Sequence, residues 1–173
     1  MAMLDRIEAA LARAMELAAM AMMAALIGVI GYSVLARQVL RISVAWSEEV
    51  GSGLLMWMAL LGAAAVWARR GHIVIDVLPR HLPPRARWCL AIAVELAALL
   101  LFAVIVWGGA SMMQVSANNH TTALRISLSW LYLALVVGVG AMALFSLLHL
   151  ARLIGRGPAF LGDGWTTSSS SSD

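Results

Sequence analysis

The chain has 173 residues, of which 62% are hydrophobic and only 12% charged, with a formal net charge of +3. A soluble domain holds roughly 45–50% apolar residues, and a core this small cannot hide the excess, so the surplus faces lipid. The small positive charge excludes a nucleic-acid partner, and the single cysteine, Cys89, excludes an internal disulfide framework and reads as packing.

Leu4, Ile7 and Leu11 recur at helical spacing among Asp5, Arg6, Glu8 and Arg13, which predicts an interfacial amphipathic helix over 1–16 leading into the first span. Four charge-poor runs follow, at 17–36, 50–68, 96–119 and 126–151. Each is long enough for a helix to cross a hydrocarbon layer of about 30 Å. The predicted spans are 17–36, 47–69, 88–117 and 126–153, within a transmembrane domain over 17–154. Lipid selects helices, because an open strand would leave its amides unpaired. The fold class is therefore an all-α membrane protein, a four-transmembrane-helix bundle. The first run exceeds the apolar core of a secretory signal and is read as a retained span.

All twelve basic residues are arginine, and their placement sets the orientation. Arg6 and Arg13 precede the first span, Arg69, Arg70, Arg80, Arg85 and Arg87 lie between the second and third, and Arg152 and Arg156 follow the fourth. Only Arg37, Arg41 and Arg125 fall on the other side, so both termini and the middle loop are expected in the cytoplasm. In that loop Gly71 ends the second helix, and Pro79, Pro83 and Pro84 prevent a continuous one, so an interfacial segment is expected between helices 2 and 3. Arg69, Arg70, Arg85, Arg87 and Trp88 suit anionic lipid headgroups there. The tail over 155–173, ending "GDGWTTSSSSSD", is polar, low in complexity and expected to be disordered.

The stretch "LRISVAW" at 40–46 returns as "LRISLSW" at 124–130, five identities in seven. Both copies fall on the outer face, each opening an inward-running helix. Arg41 and Arg125 can reach phosphates, Ser43 and Ser127 can cap free amides, and Trp46 and Trp130 suit the aromatic belt. Shared interfacial chemistry and a duplicated helical hairpin both account for the match. Glu48 and Glu49 follow only the first copy, whereas the second continues with Leu131 and Tyr132. Carboxylates at a helix N-terminus are favoured by the dipole. Beneath them, however, Glu48, Ser52, Ala59, Gly62, Ala63 and Val66 share one side, and Glu49 neighbours Gly53. Small residues on a stripe let another helix approach, so this face is a candidate subunit interface, with Arg37, Arg41 or a basic group of another chain answering the acids.

Little else carries chemistry. His72, His81, His120 and His149 include only one pair, His72 with His149, that shares a depth suited to haem, and it lies near the surface. No cysteine–histidine cluster has metal spacing, no glycine loop cradles phosphate, and no catalytic residue is assigned. The midplane is nearly all Ala, Leu, Val, Met and Gly, where a transport path would show polar or broken helices. Glu16 and Glu95 lie near cytoplasmic ends and read as snorkelling or pairing with each other.

The run "AWSEEVGSGLLMWMALLGAAAVWARRGHIVIDVLPRHLPPRAR" resembles the small permease subunit, the DctQ type, of tripartite ATP-independent periplasmic (TRAP) transporters. The resemblance rests on Trp46, Glu48, Glu49, Gly62, Ala63, Ala64, Arg70, Gly71, His72, Asp76, Leu82 and Pro83, in that order. "TTALRISLSWLYLALVVGVGAMAL" is similar to the family's last span, except that Val136 and Val137 stand where a proline often follows the aromatic residues. The resemblance implies an inner-membrane scaffold, without a cofactor of its own, for a large membrane subunit that moves an organic acid by a sodium-coupled elevator motion. It also implies a periplasmic substrate-binding protein as partner and places the sodium ions in the large subunit. On this reading Glu48 and Glu49 edge the contact with the large subunit or tie the outer loop to Arg41. Two alternatives stand beside it: a self-sufficient proton-coupled exporter with Glu16 as carrier, and the membrane anchor of a redox enzyme.

Overall fold

A computed structural model describes residues 2–42, 44–69 and 84–156. The interfacial segment between helices 2 and 3, with Arg70, His72, Asp76, Arg80 and His81, lies outside the described residues, as do Ser43 and the tail from 157 onward. Four helices are long and apolar enough to cross a membrane: α1 (Ala2–Leu35), α2 (Trp46–Arg69), α3 (Pro84–Val115) and α4 (Ser129–Arg156). A single π turn, Ala36–Leu40, prolongs α1, and a 3-10 turn, Ser116–Asn118, ends α3.

Three boundaries differ from expectation for local reasons. No break separates an interfacial helix from the first span: α1 runs unbroken through residue 16 for 34 residues, which is about 50 Å. The third helix begins at Pro84 rather than near 88, because proline fits the first helical turn, where its missing amide would have had no partner. The fourth begins at Ser129 rather than 126, because 126–128 turns back on the preceding segment. Thr121 N donates to Ile126 O at 2.9 Å and Leu128 N to Asn119 O at 2.9 Å, and these bonds hold the chain extended there.

α1 packs on α2, α2 on α4 and α4 on α3, so the spatial order is α1, α2, α4, α3. The two central helices meet most closely at Gly138, where a β-carbon would stand 2.7 Å from Leu60 Cβ and 3.2 Å from the Leu60 carbonyl. Glycine is required by that approach, which gives the dispersion contact that holds helices together in lipid. The buried cluster of Ala64, Phe102, Val139, Met142 and Phe145 sits on the side of that crossing nearer the start of α1 and the end of α4, and Leu11 and Met15 of α1 pack against it. Trp67 meets Phe102 edge-on with ring centroids 5.1 Å apart, and its Nε1 donates to the buried Ser146 hydroxyl at 2.9 Å. All four helices therefore share one core in the half of the bundle that holds the start of α1 and the end of α4, termed the inner half.

Candidate functional site

At the opposite end of the bundle, termed the outer end, the chain turns twice through a left-handed arginine. The positive-φ residues other than glycine, among those described, are Arg41 (φ 54°) and Arg125 (φ 51°), the matched arginines of the repeated stretch. An L-residue in this left-handed region costs about 1–2 kcal/mol, so the repeat extends beyond sequence to a strained turn made twice. At the first copy the Arg41 amide closes the π turn onto Ala36 O. At the second, Ser127 Oγ accepts from the Ser129 amide at 3.2 Å, the capping role expected of it. Trp46 packs near Tyr32, with centroids 6.0 Å apart, and Trp130 near Trp57, at 5.1 Å.

The two acids divide their work. Glu48 reaches back to Arg37 at 2.7 Å, an exposed pair within the chain. Glu49 turns to the loop ahead of α4: Oε1 accepts from the Ala123 amide at 2.7 Å and from Thr122 Oγ1 at 3.1 Å, and Oε2 accepts from the Leu124 amide at 2.9 Å. Consecutive amides entering a left-handed residue form a concave nest for an anion, here filled by a side chain from another helix. Glu49 thus ties α2 to the outer loop, and through the loop to Arg125 rather than Arg41. Sequence reasoning missed this receptor because main-chain amides leave no residue signature. The repeated Leu-Arg-Ile-Ser was the available signal that a turn lay there.

Below the acids, Ser52, Leu55, Ala59, Ala63 and Val66 continue the exposed lane of α2 that Glu48 begins. Gly62 departs from the expected stripe and faces α1, where its β-carbon position lies 3.9 Å from Ala19 Cβ. The lane sets small residues, Ser52, Ala59 and Ala63, beside Leu55 and Val66 and is exposed over its length.

At the inner end the described acids are matched. Glu16 is held by Arg69 and Glu8 by Arg152, while His149 Nε2 lies 3.8 Å from Glu95 Oε1. Glu16 and Glu95 pair with these groups and not with each other. The second oxygen of Glu95, Oε2, is buried without a hydrogen-bond partner among the described residues. Of the residues expected at headgroups, Arg69 is engaged by Glu16, and Trp88 donates to Leu153 O at 3.0 Å. The backbone of Arg85 and Arg87 lies in the first turn of α3, and their side chains lie outside the described part. Among the described residues no group of histidine, cysteine, aspartate and glutamate is arranged to hold a metal ion.

Four apolar spans, charges gathered and paired at the two ends, and an apolar midplane define a multi-pass integral membrane protein. The chain belongs to the DctQ component of the tripartite ATP-independent periplasmic transporters, whose family model matches residues 26–156, and so to their small permease subunits in the bacterial inner membrane. It is 33% identical to the sialic acid TRAP transporter small permease protein SiaQ of Vibrio cholerae over 71% of each chain. A putative TRAP transporter small permease protein of Haemophilus influenzae is 25% identical over 82% of this chain and 86% of its own length. The isethionate TRAP transporter permease protein DctMQ of Oleidesulfovibrio alaskensis is 28% identical over 68% of this chain but only 19% of its own. In that relative the small component is one section of a much longer permease, which supports a large membrane subunit as the partner of this family.

Proposed function

We propose that this chain braces the large membrane subunit of a sodium-driven uptake system for an organic acid, which a soluble periplasmic binding protein delivers. The observation that carries the reading is the family match over 26–156, the part of the chain that forms the bundle and its outer clip. The relatives named for a substrate carry sialic acid and isethionate, both organic acids, which supports the substrate class. With both termini cytoplasmic, as the arginine distribution favours, Arg41, Arg125 and the loop held by Glu49 face the periplasm and the binding protein. The open lane of Ser52, Ala59 and Ala63 then receives a helix of the large subunit, with Glu48 and Arg37 at its outer edge. The exporter alternative gains nothing from the structure, because its carrier, Glu16, is held by Arg69 at the inner end.

The deciding experiment extracts the chain from its native membrane in mild detergent and identifies what accompanies it by mass spectrometry. A stoichiometric, larger multi-span protein is expected, and a lone chain or pure homo-oligomer across several gentle detergents overturns the reading. Ala59→Leu with Ala63→Leu, which fills the lane without touching the core, is expected to reduce the recovered partner severalfold while the variant still inserts.

A further inference from the structure

The inner end of α1 has two differently used faces. Glu8 and Glu16 turn inward and meet Arg152 and Arg69, and Ala12 between them is buried. Arg6 and Arg13 stand on the outward face, exposed, and no described acid is paired with either. Seven residues bring a helix to within about 20° of two full turns, so the two guanidinium groups leave α1 in nearly the same direction. Leu17, Met20 and Ala24 continue that direction into the span, Leu17 64% and Met20 53% exposed. A polar end with two cations, paired with no described acid, thus runs straight into an apolar lane that faces lipid.

We propose that this lane binds an anionic phospholipid carrying two phosphates, of the cardiolipin type, in the leaflet at the N-terminal end of α1. Seven residues separate the two Cα atoms by about 10 Å along the axis, so two anionic groups are met with less bending of the side chains than one. Two phosphates joined by a short bridge meet one guanidinium each, in the geometry that arginine favours for phosphate oxygens. The acyl chains lie along Leu17, Met20 and Ala24. The acidic face behind the lane is neutralised by Arg69 and Arg152, so it does not repel the headgroup.

The test uses the purified full chain in detergent, with native mass spectrometry as readout and cardiolipin, phosphatidylglycerol and pyrophosphate as separate additions. Retention of cardiolipin above the other two is expected. Arg6→Gln and Arg13→Gln are each expected to weaken it about fivefold, and the double variant about thirtyfold. Arg6→Lys with Arg13→Lys keeps both charges in place and is expected to keep most of the retention. Equal loss in the two double variants, or none in Arg6→Gln with Arg13→Gln, overturns the proposal. So does pyrophosphate or phosphatidylglycerol retained as well as cardiolipin, the first marking a free-anion site and the second a single-phosphate one. Thermal melts confirm that every variant compared is folded.

Discussion

The inner and outer halves of this bundle are held by different means. Inward of the Gly138 crossing, side chains from all four helices share one core, salt bridges link α1 to α2 and α1 to α4, and His149 approaches Glu95 between α4 and α3. Outward of it, the two hairpins are joined by one carboxylate clasping main-chain amides and by the contact of Trp57 with Trp130. The inner half is redundant and the outer half depends on few groups.

That contrast is broken most severely from the inside. Phe145 is 2% exposed and touches the shared core, and Phe145→Ala is expected to cost about 3–5 kcal/mol, read as a lower melting temperature and loss of monodisperse protein in detergent. An outer-end variant with an equal effect would show that the two halves are alike in strength. Glu49→Gln sharpens the comparison, because an amide replaces one acceptor oxygen with a donor that faces a donor. Hydrogen exchange is expected to quicken at Ala123 and Leu124 while the amides of 139–146 keep their protection. Uniform acceleration would mean that the clasp supports the whole fold. Glu48→Gln is the mildest case. Its pair with Arg37 is exposed, with the glutamate side chain 75% accessible, and stability is expected to change by less than about 1 kcal/mol.

The spans were legible in the sequence because lipid imposes one rule on every residue: long apolar runs must be helical and charge must gather at the ends. Arg37 was among the candidate partners of Glu48, since few basic groups lie on the outer side and Arg37 is near in sequence. Glu49 was harder. Its partners are amides of Ala123 and Leu124, and any residue at those positions would offer the same donor. Gly62 shows a second limit. Small residues on adjacent arcs of one helix read as a single stripe, but Ala59 and Ala63 look outward while Gly62 lets α1 approach. The ion pairs Glu8–Arg152 and Glu16–Arg69 needed the tertiary order of the helices, which hydropathy does not supply.

That tertiary order also bears on how the chain assembles. The first two helices, α1 with α2, and the last two, α3 with α4, are neighbours in space as in sequence, and α2 against α4 is the principal seam between the pairs. Two hairpins can therefore enter the bilayer and close separately, the first before the second has been synthesised, and then dock side by side. Gly138 sets how near they come, and Glu49 latches the outer edge only once both are in place. A nick between Arg69 and Pro84 would leave each described hairpin whole.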